Sequence, residues 1–502
     1  MTIPNEAFDE IAINARVAGK YIETSGSRVN GLVSSHVALL IGQSLVGGTA
    51  NDAELLLVPG TGAAAGEMFG KGSNLALMVE AYRQNNTTMT LYAIALPDLV
   101  AGVKASVAMT FTGAATESRA LAVYVAGVRV FVPVVIDDTP ADVAASVAAA
   151  ITALPNLPVT ATAAAGVVTF EAKNAGEIGN DIRIQVALRG VMSGEKVPAG
   201  ISIAVPNSGF LQNGSGNPDI AGALAAIGSQ KVNYVGFPWT DGGTLDAISE
   251  WLEGQQKAGV ENDVKGFTAR RGTVSELLTF GTSRNDRFVS TIGTYDAPGP
   301  AWMRAARYAG QMSGKLFNHS ARPLAGVELV GEMAPPEKSR LEYTDKNTLM
   351  FAGITVTDEG RDGKVRLNMP ITMYQTNEFG DLSEAYLLVN TVAQLGRIRD
   401  ELASVLDGIR MLRPILVDDG TPVDDGIPYV TPRSVRASLI AHYDYMVGLG
   451  LVEDVDGFAE RLEVSKSPTN SYRLNMIYRP DLSNPLYLLA AKIEFELDFR
   501  DF

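Results

Sequence analysis

The chain contains no cysteine, and that absence removes disulfide bonds, thiol nucleophiles and zinc sites built on thiolates. Stability has to come from packing and assembly. Histidine is nearly as scarce: His36, His319 and His442 lie on separate segments, and none has the His-Glu-x-x-His spacing of a metal-binding helix. His36, beside the apolar run Val37–Ile41, reads as a satisfied structural side chain. No apolar run is long enough to span a bilayer; the Ala/Val-rich stretch Ala141–Leu154 is short and carries Asp142. The N-terminus lacks a basic region followed by an apolar one. The expectation is a protein made and folded in a cytoplasm, without integral membrane contact. Basic residues are outnumbered, 41 to 56, for a net charge of −15. That argues against a nonspecific nucleic-acid grip over the whole surface and leaves only local basic patches to consider.

What is present is a chain of 502 residues, room for roughly two to four domains with cores of their own. Residues 36–95 predict strand, glycine-rich loop, helix (Asn74–Gln84) and strand (Met89–Ala95), which is half of an α/β layer. A second alternation begins at Val232: strands Val232–Phe237, Val264–Thr268 and Arg287–Ile292 are each followed by a helix, at Leu245–Gln256, Val274–Phe280 and Ala301–Leu316. Such βα repeats favour a mostly parallel sheet covered by helices. Between the halves, residues 104–205 are rich in Ala, Val and Thr, with β-type runs at Leu121–Val135, Val159–Ala172 and Asp181–Leu188 and one helix, Pro140–Ala153. The fold class is therefore a multidomain α/β (α+β) chain: a discontinuous core, 31–103 and 220–370, interrupted by a β-rich insertion, 104–205, with 206–219 as return linker. The stripe Leu388, Val392, Leu395, Leu402, Val405, Ile409 and Leu412 predicts one long helix. Asp381 and Glu384 serve as its start signal and Pro414 as its stop, giving Leu382–Leu412, about 46 Å long. A second helix is expected from Thr431-Pro432 to Gly448, then strands Arg461–Ser465 and Tyr472–Tyr478.

The search for chemistry is mostly negative. The loop Gly60–Ser73 contains Gly70-Lys71, but Ala65 and Gly72 stand where a phosphate loop needs Gly and Ser or Thr. The acidic turns Asp418-Asp419-Gly420 and Asp424-Asp425-Gly426 lack the alternating oxygen ligands and closing Glu of a calcium loop. Gly42-Gln43-Ser44 is followed by Leu45-Val46, so no nucleophile elbow forms. Arginines cluster at Arg270 and Arg271, at Arg304 and Arg307, and along the long helix at Arg397, Arg399, Arg410 and Arg413. A solvated helix face is the default account, and a docking surface for an acidic partner is the functional one.

The last ten residues, Ile493–Phe502, alternate apolar and charged side chains up to the chain end. They predict a β-strand with one apolar face. It is either an edge strand of its own domain or a strand donated to a neighbouring subunit.

Four segments, Phe69–Met78, Ile371–Tyr386, Leu451–Asp454 and Arg479–Tyr487, resemble the contractile tail sheath proteins of Mu-like bacteriophages. The likeness runs from about Arg16 to the C-terminus, and Thr112–Thr116 and Gly176–Asn180 resemble the family's outer β-rich module. It implies a non-enzymatic virion subunit, without cofactor or metal, stacked in rings around a tail tube and shortening in one concerted step to drive the tube through the host envelope. Its implied partners are further copies of itself, the tail tube protein, and baseplate and tail terminator proteins, with no direct nucleic-acid contact. Assembly is expected in the host cytoplasm. The family links neighbours through terminal arms that complete another subunit's sheet. Here these are an N-terminal arm within 1–30, with Val17, Tyr21 and Ile22, and a C-terminal strand within 485–502, with Ile493, Phe495, Leu497 and Phe499. Residues 371–484 form the tube-proximal part, with Arg397, Arg399, Arg410 and Arg413 as candidates to face the tube. A sheath of a bacteriocin or secretion-type injection system, or an α/β enzyme without a recognised site, remain the alternative readings.

Overall fold

The computed structural model describes residues 36–60, 62–257, 260, 262–424 and 426–495. The first strand, β1 (Val37–Gln43), is buried at every residue. That is the signature of a parallel strand covered on both faces, and it explains the unbroken apolar run. It is followed by β2 (Leu55–Leu57), α1 (Ala65–Phe69), α2 (Asn74–Asn85) and β3 (Thr90–Leu96). The insertion then contributes β4 (Lys104–Thr112), β5 (Arg119–Val125), β6 (Val128–Val134), α3 (Pro140–Thr152), β7 (Val159–Ala164), β8 (Val167–Ala175), β9 (Ile184–Val186) and β10 (Ser202–Ala204). The chain returns through α4 (Ala221–Ile227), β11 (Tyr234–Gly236), α5 (Gly242–Gln256), β12 (Lys265–Arg271), α6 (Val274–Thr282), β13 (Val289–Thr294), α7 (Ala301–Asn318), α8 (Tyr343–Phe351) and β14 (Ile354–Thr355).

Both halves build one seven-stranded sheet in the order β14-β13-β12-β11-β1-β3-β2. It is parallel except for β2, which runs against β3. β1 sits between β3 and β11, strands separated from each other by the whole insertion. The insertion folds into its own antiparallel sheets, β10-β4-β8-β7 and β6-β5-β9, with α3 packed against β6, β7 and β8. Two of the expected β-runs are hairpins, not single strands. Each breaks at a two-residue turn, Ala126-Gly127 and Ala165-Gly166, with all four φ angles positive, the geometry that a tight hairpin requires. Thr139 and Asp142 close a reciprocal cap at the start of α3, and Pro140 takes the first helical position.

After a hairpin, β15 (Thr357–Glu359) with β16 (Val365–Leu367), the C-terminal region begins. Its long helix, α9, spans Val389–Met411, not Leu382–Leu412, and is about 35 Å long. Residues 375–383 instead make a tight turn: the Asn377 side chain accepts from Phe379 and Asp381 amides, and Gly380 has φ 84°. Leu388, the first member of the apolar stripe, is extended and precedes the first helical turn. The stripe was a sound guide to the helix, whereas the acidic start signal belonged to the turn. Then follow β17 (Ile415–Leu416), β18 (Tyr429–Val430), α10 (Pro432–Gly448), β19 (Val452–Glu453), α11 (Val455–Arg461), β20 (Glu463–Lys466), β21 (Leu474–Ile477) and β22 (Asp481–Leu482). Arg461, expected to open a strand, ends α11 instead.

The solvated-face account fails for Arg304 and Arg307. Both are buried and share the buried carboxylate of Glu332, at 3.0 and 2.8 Å. Spaced one turn apart on α7, they point to the same side of a helix enclosed by neighbours. Burial by itself would raise the Glu332 carboxyl, but the Arg304 and Arg307 guanidiniums more than offset it and hold it below the usual carboxylate range.

There are two apolar cores. The larger covers the sheet and the insertion; the smaller, around Ile398, Leu439, Tyr443, Met446 and Phe458, belongs to the C-terminal region. They meet along α9, where the helix backbone at Gly396 rests directly on the buried Asp263 carboxylate, itself paired with Lys265. Beside this contact lies a cavity of about 300 Å³ whose lining includes His36, Tyr234, Asp263, His319, Ala393 and Arg397. His36 Nδ1 is 3.0 Å from the Tyr234 hydroxyl. Burial, reinforced by Lys265, depresses the His36 imidazole to about 4.

Two outcomes are expected. In Gly396→Ala a methyl group would land on the Asp263 carboxylate, so the protein should lose at least about 2 kcal/mol in denaturant unfolding. For His36, the unfolded chain takes up a proton near pH 6.5 and the folded chain only near 4. Stability should therefore be flat above pH 7 and fall as pH drops from 6.5 towards 4, by roughly 3 kcal/mol in full. Unfolding of wild type and His36→Gln compared between pH 7.5 and 4.5 should give the variant the flatter profile.

Candidate functional site

In a doubly wound sheet, ligands bind beyond the carboxyl ends of the strands where strand order reverses. Here that point lies between β1 and β11, and the insertion fills it. The buried Gln43 side chain at the end of β1 donates to Asp98 Oδ1 and to the Ala175 carbonyl, both at 2.7 Å. Asn174 Nδ2 donates to the same Asp98 oxygen at 2.9 Å and to the Ser44 carbonyl at 2.8 Å. The Ala175 amide donates to Asp98 Oδ2 at 2.7 Å. The amino end of α2, where a phosphate would be held, is also engaged: the Asn74 amide donates to Asn174 Oδ1 and the Ala76 amide to Ser73 Oγ. The glycine-rich loop is pinned from above by Lys173, whose ammonium donates to the Lys71 and Pro155 carbonyls.

Among the described residues no group of three or more His, Asp or Glu side chains is arranged to hold a metal ion. A cavity of about 500 Å³ between β9 and β10 is lined mainly by Ile184, Val186, Val197, Ile201, Ile203 and Val205. Its one ionisable side chain, Arg183, is committed to Asp296 at 2.6 Å. The acidic turn at Asp418-Asp419 serves structure: Asp418 pairs with Lys466, and Asp419 accepts from the Arg433 amide at the start of α10.

The features with unmet bonding capacity are at the C-terminal end. Tyr443 and Phe458 stack at 3.7 Å, and the Tyr443 hydroxyl donates to the Glu453 carbonyl, tying α10 to β19. Over this small core β20 and β21 pair as an isolated two-stranded hairpin, Val464 opposite Met476. Val464, Leu474 and Met476 are half-buried against the core. Among the described residues neither strand has a second strand neighbour, so each presents a free edge. The expected linking residues Ile493 and Phe495 are 88% and 78% exposed. The whole stretch 483–495 forms no strand, and Leu486, Leu488 and Leu489 are exposed as well. Contiguous apolar surface of this kind is rarely left in water by a monomer. Val17, Tyr21, Ile22, Leu497 and Phe499 lie outside the described residues.

The four arginines of the long helix do not share one face. Arg397 turns inward, lining the seam cavity and pairing with Glu401 at 2.6 Å. Hydrogen bonding from His442, with the Arg397 charge behind it, holds the Glu401 carboxyl below its usual range. Arg399 donates to Gln256 of α5 at 2.8 Å. Arg410 is exposed beside Asp407 at 3.1 Å, and Arg413 is exposed in a left-handed conformation just past the helix. Met411, Leu412, Ile415 and Tyr429, all exposed, surround that tip. Arg397 has an i,i+4 partner, Glu401, legible in the residue order, whereas Gln256, which takes up Arg399, lies on a distant helix and leaves no local cue.

A family model described as the phage tail sheath protein central domain matches residues 213–373. The Mu-like prophage FluMu tail sheath protein of Haemophilus influenzae is 32% identical over 499 residues, covering 98% of this chain and 99% of that protein. Among solved structures, the sheath tail protein of Desulfitobacterium hafniense covers 92% of this chain and 100% of its own, at 12% identity and a TM-score of 0.46. The sheath of an extracellular contractile injection system in its contracted state covers 97% and 99%, at 9% identity and a TM-score of 0.42. With one residue in three shared along nearly the full length of both proteins, this chain belongs to the tail sheath proteins of Mu-like phages.

Proposed function

We propose that this tail sheath protein polymerises as stacked rings around a tail tube and contracts in one step to drive the tube through the host envelope, without catalysing a reaction. The observation that carries the reading is the pairing of a free-edged hairpin, β20–β21, with an exposed apolar run, Leu486–Phe495, in the same chain. A strand from one copy can add to the hairpin of the next. A head-to-tail contact of this kind does not close on itself, so it propagates into helices or stacked rings. The filled crevice at Gln43 supports a non-enzymatic role, since the place where this class of sheet binds ligands is taken by protein.

In this reading 1–30 and 485–502 are the linking arms, 31–103 and 220–370 the core, 104–205 the outer module, 206–219 its return linker and 371–484 the tube-proximal part. Arg410 and Arg413, with the apolar rim around them, are the arginines available to the tube; Arg397 and Arg399 act inside the subunit. The extended sheath is a kinetically trapped lattice assembled in the host cytoplasm with its tube, baseplate and terminator. Its contraction releases free energy stored at assembly, so no nucleotide is consumed.

Negative-stain microscopy of the full chain beside a version ending at Ala491 tests the linkage. Tubes or rings from the full chain, and their loss in the shortened one, are expected; equal assembly by both would refute strand exchange through the C-terminus. Charge reversal at both Arg410 and Arg413 should weaken tube binding by about tenfold and leave the melting temperature unchanged. Arg397→Glu should instead lower the melting temperature, because it strands Glu401 beside a second carboxylate.

A further inference from the structure

We propose that Asn390 and Tyr487 form the clamp that fixes where the C-terminal arm leaves the body, and that it bears on the short segment Leu316–Leu324. The proposal rests on the arm-exchange reading above and adds the device that would carry the load.

Asn390 is fully buried in the first turn of α9. Its Nδ2 donates to the Ser320 carbonyl at 2.6 Å and to the Arg322 carbonyl at 2.9 Å. Its Oδ1 accepts from the Tyr487 hydroxyl at 2.6 Å, and that hydroxyl in turn accepts from the Leu324 amide at 3.1 Å. One turn further along α9, Gln394 Nε2 donates to the Ser483 carbonyl at 2.8 Å and to the Leu451 carbonyl at 3.1 Å. The tail is therefore tied down at Ser483 and again at Tyr487. Immediately afterwards Leu488 and Leu489 are 86% and 87% exposed. The change from fastened to free falls at one residue. Burial pushes the Tyr487 phenol up to about 12, so the hydroxyl keeps the proton it donates to Asn390.

The same segment packs against the start of the sheet. Leu316, Phe317, His319 and Ser320 line the seam cavity together with His36, and the Phe317 and His36 rings are 5.0 Å apart. The segment that takes the Tyr487 clamp is thus itself packed beside β1. A pull on the C-terminal arm would pass through Tyr487 into the 320–324 backbone and be met there by α7 and α9 before reaching the hairpin core. The clamp would keep the root of the C-terminal arm fixed on the body while the body rotates.

Tyr487→Phe removes the hydroxyl alone and leaves the Leu324 amide and Asn390 Oδ1 without partners. Hydrogen exchange of the full-length variant should be about tenfold faster over 316–326 and over 483–490. Sheaths assembled from it should tear on contraction where wild-type sheaths stay continuous. Exchange unchanged in both stretches, or raised in 483–490 alone, would overturn the clamp. Asn390→Asp retains the oxygen that accepts from Tyr487 but loses a donor to the 320–322 carbonyls, so it should loosen 316–326 more than 483–490. The chain ending at Ala491 keeps the clamp and should exchange like wild type over 316–326. Its assembly tests the arm reading, and Tyr487→Phe tests the clamp, so either can fail without the other.

Discussion

The Asp98 carboxylate does more than any other single group to decide what this molecule can be. It accepts from Gln43, Asn174 and the Ala175 amide, joining the central strand of the sheet to the end of β8 in the insertion. Charge-assisted hydrogen bonds of this kind contribute roughly 1.5–3 kcal/mol each when sheltered. They sit where an α/β sheet would otherwise open a ligand crevice. The same contacts that attach the insertion therefore fill that crevice with protein. The seam continues through Trp302, whose indole donates to the Ile178 carbonyl, and through Arg271 and Arg183, paired with Asp181 and Asp296.

A body fastened in this way leaves the chain ends as the parts that can adapt. Burying Ile493, Phe495, Leu497 and Phe499 in a neighbour would contribute roughly 6–12 kcal/mol at about 1.5–3 each. Ordering seven residues costs about 7–14 kcal/mol. One arm alone roughly breaks even. Subunits can then remain separate until a tube or baseplate holds several together, after which each docked neighbour raises the effective concentration for the next. Strong single contacts would assemble the sheath prematurely, and contacts without arms would let it fall apart while bodies rotate.

Much of the architecture could be read from residue order because a parallel strand covered on both faces is a nearly continuous apolar run, as in β1. Capping chemistry was equally informative: Thr139-Pro140 and Thr431-Pro432 mark true helix starts. The errors came where distant residues or turns outweigh local pattern. Asn377 and Gly380 take the segment that precedes α9 out of the helix, and Asp454, itself left-handed, caps the short helix α11, which takes in Arg461, the residue expected to open a strand. Arg304 and Arg307 looked solvated because Glu332, which neutralises them, lies beyond the end of their helix. Alternation at the C-terminus suggested a strand, but the described part, 483–495, forms none; its linking role rests on family resemblance, and alternation alone could not name β20–β21 as the proposed acceptor. Neither the Gly396 contact nor the Asn390–Tyr487 bond has any sequence signature, since each depends on which backbone happens to pass nearby.

These features fit together as a device for storing work. Contraction needs subunits that transmit force without deforming, links that bend without breaking, and no chemical fuel at the moment of firing. The ionic seams provide the first by making bodies of core and insertion together. On the proposed linkage the arms would provide the second, provided that load enters each subunit at a defined point; a peptide freed gradually along its length would peel, whereas one released at a single hydrogen-bonded tyrosine would not. Peeling breaks one contact at a time and requires only the force that each can bear. A clamp makes Asn390, the 320–324 backbone and α9 yield together or not at all. Stiffness at the root is therefore what allows the individually weak arms to be mechanically reliable in a lattice of many copies.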